Sequence, residues 1–435
     1  MSWTNQQGMV QMNNTAQVCM DIDSWIQDLP ATFSSWPKIF QMPPYLRNLN
    51  EKAYEPKLVS IGPYHCQKDH LKAMEAHKGR FLKDLLRRTN QNSAQRYEEA
   101  MKGMMERARC YYAESLVVSY EEFFKMMVVD GCFIVELFFK LINERFNDSI
   151  LNVDHQIRFH ILADLTLVEN QLPFFVLWEF LGIAFPDERT SYINSIINLF
   201  KEVMPGLKDC RSSYDERLIR DIKHLLQLLC SNWISSVGSM REAECEPGQN
   251  YAKWEFIRSA TKLRGAGIKF SKGNKDNLFD IKFEKGTLYI PPVNFQPQTE
   301  ALYFNIIAYE QFDDSGSRKY LTEYITVLDF LIDTEKDVEL LCQTGIMCHW
   351  LGTNEAAARM FNRLGNKLQL NGRRFPYGEL FNNINKYYKQ PWHRPFAILR
   401  QKYLNNPWAY ISFFAAAFLL LLTLLQTVFA IFPRS

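Results

Sequence analysis

An uncharged run of 24 residues near the C-terminus, from Ala409 to Phe432, constrains this chain more than any other feature. The run reads AYISFFAAAFLLLLTLLQTVFAIF, and Gln426 is its most polar side chain. As an α-helix it would be about 36 Å long, enough to cross a hydrocarbon core of about 30 Å. A helix buried in a soluble protein would carry a polar face in so long a stretch. The run therefore predicts one transmembrane helix in a lipid bilayer.

Basic residues flank this run unequally. Lys389, Arg394, Arg400 and Lys402 precede it, whereas only Arg434 follows it. Positive charge collects on the cytoplasmic side of a single span. We therefore expect the globular part to face the cytosol from the plasma membrane or an endomembrane. Because three residues follow the run, we also expect insertion after translation, as for tail-anchored proteins.

The charge balance and the cysteine pattern exclude several classes of protein. The 50 Lys and Arg residues against 48 Asp and Glu give a formal net charge of +2, which argues against a protein built mainly to coat nucleic acid or an anionic lipid surface. The nine cysteines are scattered and include no C-x-x-C pair. This pattern indicates a reducing compartment and predicts no structural metal site.

Hydrophobic periodicity predicts a mainly α protein: a large helical domain with a small antiparallel β meander and the C-terminal transmembrane helix. We divide the chain into a disordered polar lead (1–38), a helical lobe (39–236), a linker (237–250) and a second lobe (251–405). The meander is predicted from alternating apolar and polar residues in Gly267–Phe270, Leu278–Phe283 and Thr287–Ile290. The predicted helices are Leu71–Leu86, Gln95–Tyr112, Tyr120–Ile142, His155–Leu181, Asp215–Leu229, Thr299–Asp313, Tyr320–Ile332, Val338–Thr344 and Asn354–Leu364.

The stretch from His155 to Leu181 contains the most unusual helical pattern. The polar residues Glu169, Asn170 and Gln171 interrupt its apolar residues, and Pro173 follows them. Because proline removes a backbone donor, we expect a break there. The three polar side chains could form a buried polar site, but we favour the interpretation that they cap backbone groups freed by the break.

Two H-x-x-x-D sequences, His65 with Asp69 and His160 with Asp164, are the only candidate catalytic residues. Some acyltransferases use a histidine at this spacing as a general base. With eight histidines in the chain, such a match arises by chance, and no nucleophile elbow, Walker loop or H-E-x-x-H helix is present. The sequence therefore predicts a protein that is not an enzyme and holds no cofactor.

Several strings in the first half of the chain, taken in order, resemble a plant-specific family known only as domain of unknown function 247. They are VSIGPYH (Val59 to His65), MEAHK (Met74 to Lys78), MMVVDGCFIVELF (Met126 to Phe138) and LVENQLPFFVL (Leu167 to Leu177). In the second half GIKF, LYIPP, LIDTEKDVELL, LGTNEAAARMFNRL and the C-terminal run are similar to the same family. The resemblance covers roughly Ile39 to Phe432.

This resemblance implies a mostly helical plant protein with a C-terminal membrane anchor and no established enzymatic activity. Family members at grass self-incompatibility loci are implicated as pollen-side recognition proteins that act with small secreted peptides. Our leading hypothesis is a membrane-tethered recognition or scaffold protein that binds another protein or a small peptide. The alternative is a membrane-bound enzyme such as an acyltransferase that uses His65 or His160.

Self-association through the anchor is a third possibility. Ala415, Ala416 and Ala417 form a patch of small residues in the apolar run. Small residues let two membrane helices approach closely. A homo-oligomer is therefore a possible assembly of this chain.

Overall fold

The computed structural model describes residues 37–112, 116–143, 155–204, 207, 219, 221–237, 254–275, 277–313, 316–366, 368, 375–390 and 407–431. These residues form fifteen α-helices and five short strands, which confirms the mainly α fold class. The predicted disorder of the lead lies outside the described residues, apart from residues 37 and 38. The linker lies outside them too, apart from residue 237, as does Phe432 at the end of the predicted span.

The helices of the first half mostly begin and end close to their predicted positions. The predicted break after His155 is confirmed, because one helix ends at Asp164 and the next begins directly after Pro173. Two further helices, α1 and α7, have no counterpart in the predictions. The observed helices are α1 Pro44–Arg47, α2 Lys72–Arg88, α3 Gln95–Arg109, α4 Tyr120–Ile142, α5 His155–Asp164, α6 Phe174–Ala184, α7 Arg189–Leu199 and α8 Leu225–Val237.

The predicted helix Asp215–Leu229 is interrupted, because residues 221–224 form no helix. Its residues before position 221 lie outside the described part of the chain, apart from Ile219, which is helical. Helix α8 begins only at Leu225, and His224 before it forms a short bridge with Pro173. The Nδ1 atom of His224 accepts a hydrogen bond from the backbone N–H of Gln227 at 3.2 Å, as an N-cap side chain does. Histidine is not one of the usual N-cap residues, so the start of α8 at Leu225 could not be predicted from the sequence.

Helix α4 is the central helix of the first half. Phe133 of α4 contacts Phe81 of α2, with ring centroids 5.1 Å apart. Phe180 of α6 packs over Gly131, where a Cβ atom would lie 2.7 Å from two carbons of the phenylalanine ring. This close approach requires glycine at position 131 and sets the distance between α4 and α6.

The described residues between positions 254 and 390 form the five strands and six of the helices. Helix α10 is buried along most of its length, and Phe295 of β4 contacts Phe361 of α13 at 4.9 Å between ring centroids. The predicted helices of this half are confirmed to within a few residues. The elements are α9 Ala260–Gly265, β1 Lys269–Lys272, β2 Lys282–Glu284, β3 Thr287–Ile290, β4 Val293–Phe295, α10 Thr299–Phe312, α11 Tyr320–Leu331, α12 Glu335–Gln343, β5 Met347–His349, α13 Asn354–Gly365 and α14 Gly378–Tyr388.

The predicted antiparallel meander is correct for one pair of strands and wrong for the other. Strands β2 and β3 are antiparallel, and Lys285 and Gly286 join them with φ values of 48° and 75°, as a tight hairpin turn needs. Strand β1, however, lies on the other side of β3 and runs parallel to it. The N–H of Gly273 donates to the carbonyl oxygen of Ile290 at 2.7 Å, so β1 ends beside the end of β3.

A second sheet pairs β4 with β5 in parallel. Each strand is three residues long, and 51 residues separate Phe295 at the end of β4 from Met347 at the start of β5. Strands of this length carry no periodic signal that would predict them. Their pairing depends on the packing of the helices between them.

Residues of the two predicted lobes contact each other directly. The side chain of Asn305 accepts a hydrogen bond from the N–H of Val168 at 2.8 Å and donates to the carbonyl oxygen of Ala53 at 2.7 Å. Phe40 contacts Phe312 with ring centroids 4.9 Å apart. The division into two lobes stays a prediction, and these contacts show how the two halves are joined.

The last described helix, α15, spans Pro407–Ile431 and contains the uncharged run up to Ile431. Its segment Ile411–Val428 has a mean hydropathy of 2.2 and no residue buried against the rest of the chain. A core helix of a soluble domain would be covered by its neighbours. The helix is therefore long and apolar enough to cross a membrane, and its exposure is what a lipid-facing span needs.

Candidate functional site

The candidate site is a buried polar network around residues 57–62, which form neither helix nor strand. Buried backbone groups need hydrogen-bond partners. In this segment the partners are side chains from α2, α4 and the break between α5 and α6, as described below. We call these side chains and the segment they hold the polar network.

Asp164, the last residue of α5, holds the start of the segment. Its carboxylate accepts hydrogen bonds from the N–H groups of Lys57, Leu58 and Val59 at 2.7 to 2.9 Å. Burial raises the pKa of Asp164 to about 6, although the three N–H groups act in the opposite direction. The Asp164 carboxylate therefore holds the backbone of residues 57–59 in place.

Asn170 and Gln171 are both buried, and their side chains form hydrogen bonds with backbone N–H and carbonyl groups. Asn170 accepts from the N–H of Ile61 at 2.6 Å and donates to the carbonyl oxygens of Val59 and Asp164. Gln171 donates to two carbonyl oxygens of the break, and it accepts from the first turn of α8 at 3.1 Å. The capping interpretation is confirmed for the break, and the same side chains also bind segments distant in sequence.

Glu169 links the network to α1. Its carboxylate accepts from the N–H of Met42 at 2.7 Å and from Arg47, whose Nη1 lies 2.7 and 2.9 Å from its two oxygens. The ring of His65 is buried, and its Nε2 lies 3.1 Å from Glu169 Oε2. Arginine is a good partner for a buried carboxylate because it donates several hydrogen bonds at once.

Lys78 of α2 carries a buried ammonium group in the same network. Its Nζ lies 2.7 Å from Asp130, 2.7 Å from Glu75 and 2.6 Å from the carbonyl oxygen of Ser60. Burial by itself lowers the pKa of this ammonium, but the two carboxylates outweigh burial and raise the pKa above its usual value. Asp130 also accepts from the N–H of Gly62 at 2.9 Å. The ion pair therefore connects α2, α4 and the segment.

Gly62 ends the segment in a left-handed conformation, with φ of 73°. A Cβ atom at this position would lie 2.9 Å from the carbonyl oxygen of Gln171 and 3.1 Å from the hydroxyl of Tyr112. That hydroxyl donates to the same carbonyl oxygen at 2.9 Å. Both the conformation and the crowding require glycine here.

A cavity of about 60 Å³ lies next to the network, between α1, α10 and the end of α13. An apolar cavity of about 150 Å³ can hold benzene, so this one has room for a single aliphatic group. Because Arg47 binds Glu169, the wall formed by α1 is attached to the polar network. The lining includes Met42, Leu46, Tyr54, Phe304, Ile307 and Ala308.

The structure separates the members of the first H-x-x-x-D pair. His65 faces Glu169, whereas Asp69 lies at the surface with its carboxylate 2.6 Å from Lys72 Nζ. In the second pair, His160 packs edge-on against Phe159, and Asp164 binds the three backbone N–H groups described above. His65 and Asp164 thus both belong to the polar network.

Two members of the network, Lys78 and Asp130, were not predicted from the sequence, and neither was Asn305, which joins the two halves of the chain. Lys78 stands four residues after Met74 and three before Phe81, on the apolar face of α2. A lysine at such a position needs a buried partner, so this spacing could have identified it. Asp130 and Asn305 likewise interrupt apolar helices. Within the part of the chain that the structure describes, no three His, Cys, Asp or Glu side chains are grouped to hold a metal ion.

Glu310, at the end of α10, is a buried carboxylate outside the polar network. It accepts hydrogen bonds from the N–H groups of Leu321 and Thr322 at 2.9 and 2.8 Å and from the Thr322 hydroxyl, and so caps the start of α11. Burial raises the pKa of Glu310 from 4.5 to about 7, against the effect of these hydrogen bonds. This shift makes part of the stability dependent on pH.

We expect the substitution Glu310→Gln to remove this pH-dependent part. Because the folded state binds the proton more tightly, the contribution of Glu310 is complete below pH 4.5 and is lost as the pH rises to about 7. A shift of this size corresponds to about 3 kcal/mol. The stability of the wild type relative to the variant, measured by urea unfolding across this range, should fall by that amount.

The wild type must be compared with the Glu310→Gln variant because His224 changes the stability in the opposite direction over part of the same pH range. Burial lowers the pKa of His224 from 6.5 to about 3, so its contribution to stability is lost as the pH falls through this range. Subtracting the variant cancels His224, which both proteins contain. A difference that stays constant with pH would contradict the prediction.

These features together define a class of protein. The chain combines a mainly helical domain, organised around a buried polar network, with one exposed C-terminal helix that is long enough to span a membrane. Side chains of the network such as Lys78, Asp130 and Asn170 come from strings that carry the family resemblance, and so do His65, Glu169 and Gln171.

The chain belongs to the plant family DUF247, whose model is described as plant protein of unknown function and matches residues 39–422. Two proteins of Arabidopsis thaliana are similar to it over most of their length. UPF0481 protein At3g47200 is 29% identical over 416 residues, which cover 90% of this chain and 86% of the relative. UPF0481 protein At3g02645 is 25% identical over 482 residues, which cover 91% and 90%. No solved structure matches the chain.

Proposed function

We propose that this chain is a single-span membrane protein whose helical domain binds another protein or a peptide and catalyses no reaction. The observation that carries the proposal is the uncharged segment Ile411–Val428, none of which is buried against the rest of the chain. An apolar surface of this extent needs a nonpolar environment, and a bilayer supplies one. Tethering would confine the domain to two dimensions and raise its effective concentration for partners on the same membrane.

Two further observations support binding without catalysis. The carboxylates of both H-x-x-x-D sequences are engaged elsewhere, Asp69 with Lys72 and Asp164 with backbone N–H groups. The cavity beside α1 has the size and the apolar lining to accept one aliphatic side chain of a partner. We place the recognition site at this cavity and the domain on the cytosolic face of the membrane.

The anchor is tested by placing two arginines at the centre of the span, Leu420→Arg with Leu421→Arg. Each arginine in the middle of a transmembrane helix costs about 3 kcal/mol of insertion. We expect the wild type to stay with membranes after extraction at alkaline pH and the double variant to become soluble. Leu420→Phe with Leu421→Phe is the matched control and should behave as the wild type. A wild type that is fully soluble after cell lysis would contradict the anchor.

The recognition site is tested with a photoreactive phenylalanine analogue at Tyr45, which lines the cavity and is 49% exposed. The same analogue at Tyr120, which is 51% exposed and on α4, is the matched control. We expect a protein or peptide adduct at Tyr45 alone, and its loss when Ala308→Leu fills the cavity of a protein that still melts normally. Equal adducts at both positions, or none, would contradict a partner at the cavity.

The side of the membrane is tested by proximity labelling with the enzyme fused before Met1. Cytosolic proteins should be labelled if the domain faces the cytosol, and luminal or extracellular proteins if it does not. Labelling of luminal proteins would overturn the orientation and leave the anchor intact.

A further inference from the structure

Exposed basic residues lie near the C-terminal end of α14, the last described helix before α15, and on two segments that contact this helix. They come from three parts of the second half: the segment before α9, the β2–β3 hairpin and α14 itself. We call this group the α14 basic surface. Its members are Arg258, Lys282, Lys285, Lys386 and Lys389.

Contacts to the last turns of α14 hold these parts together. The side chain of Asn385 donates to the carbonyl oxygens of Glu255 and Phe256 at 3.0 and 3.2 Å. The ring of Tyr387 lies 5.6 Å from that of Phe283 in β2, and its hydroxyl lies against Gly286 in the hairpin turn. The basic residues therefore lie on segments that are packed against α14.

Acidic residues offset this charge only in part. Glu255 pairs with Lys389, Asp280 pairs with Lys282, and Glu284 is exposed. Five basic and three acidic residues leave an excess of two positive charges. Beyond this surface, residues 380–435 contain no Asp or Glu at all.

An exposed aromatic ring lies within the same surface. The side chain of Phe256 is 64% exposed and rests on Phe330, with ring centroids 4.8 Å apart. A ring exposed among lysine and arginine side chains is typical of protein surfaces that lie at a membrane interface.

The chain itself limits how far this surface can be from the bilayer. Sixteen residues, 391–406, separate the end of the described part of the domain from α15. Fully extended, they would span at most about 60 Å. Acidic lipids give the cytoplasmic leaflet a negative surface potential that attracts such basic groups.

We propose that the α14 basic surface binds anionic lipid headgroups of the bilayer that holds α15. This inference rests on the proposed membrane anchoring and adds the lipid class that the domain recognises. Lys and Arg side chains supply the attraction, and Phe256 enters the headgroup region. Contact with lipid would fix the orientation of the domain, and with it the direction in which the cavity faces.

The experiment uses the full chain in nanodiscs of phosphatidylcholine alone and of phosphatidylcholine with phosphatidylserine. Hydrogen–deuterium exchange is followed in peptides that cover residues 254–258, 282–286 and 386–390. We expect exchange to be at least about threefold slower in the anionic discs, and this difference to vanish at high salt.

A charge-changing variant and a matched control complete the design. Lys282→Glu, Lys285→Asn and Lys386→Glu together should abolish the difference between the discs; asparagine is chosen at Lys285 because it tolerates the positive φ. The control carries Lys83→Glu, Lys102→Glu and Lys125→Glu, at exposed positions of α2, α3 and α4, and should keep the difference.

The outcomes separate this inference from the proposed anchoring. Equal exchange of the wild type in both kinds of disc would overturn lipid recognition while leaving the anchor intact. Protection that appears only when an acidic protein is added would also overturn it. A wild type that does not co-elute with either disc would overturn the anchor itself.

Discussion

The substitution Lys78→Met should destabilise the protein by about 4 kcal/mol, because it leaves a buried carboxylate without its cation. Asp130 would keep only the hydrogen bond from the N–H of Gly62, and the carbonyl oxygen of Ser60 would lose its donor. Methionine has nearly the shape of lysine, so packing changes little. Urea unfolding of the domain, followed by far-ultraviolet circular dichroism, measures the effect.

A second substitution tests the cause of this loss. In the Lys78→Met background, Asp130→Asn removes the uncompensated charge and can still accept from Gly62, so we expect it to recover about 2 kcal/mol. The control Lys83→Met changes an exposed lysine of the same helix and should cost less than about 0.5 kcal/mol. If both lysine variants lost the same stability, the buried ion pair would not be the cause.

Asn170→Asp should cost about 4 kcal/mol near pH 8, although the two side chains have the same shape. Asn170 donates to the carbonyl oxygens of Val59 and Asp164, at 3.0 and 2.9 Å. A carboxylate has no hydrogen to donate and would place a buried negative charge against both oxygens. The free energy of unfolding measures this cost directly.

The pH dependence identifies the mechanism. Below the pKa of the new carboxyl group the protonated form can donate one hydrogen bond, so the cost of Asn170→Asp should shrink as the pH falls. Asn294→Asp, at an exposed position of β4, is the matched control and should cost little at any pH. A cost for Asn170→Asp that does not change with pH would point to altered packing.

The polar network explains how an irregular segment is held in place. Residues 57–62 have no strand or helix to pair with, yet their backbone groups bind Asp164, Asn170, Asp130 and Lys78. These side chains come from places up to 111 residues away in the chain. The segment is therefore ordered only when α2, α4 and the break after α5 are already packed together, and its order depends on the whole first half.

Most helices of this protein could be predicted from the sequence alone. Helix α4 matches its predicted limits, Tyr120 and Ile142, because long apolar periodicity is a local signal that needs no tertiary contact. The uncharged run that forms α15 is local in the same way. Pro173 likewise marked the break, since a missing backbone donor interrupts a helix wherever the chain folds.

Only the tertiary structure decided how the polar residues are used. The spacing of His65 and Asp69 suggested a pair, but His65 faces Glu169, which is 104 residues further along the chain. The partner of Lys78 and the parallel pairing of β1 with β3 could not be predicted from the sequence either. Such contacts depend on which elements pack side by side, and residue spacing along the chain carries no information about partners brought together by folding.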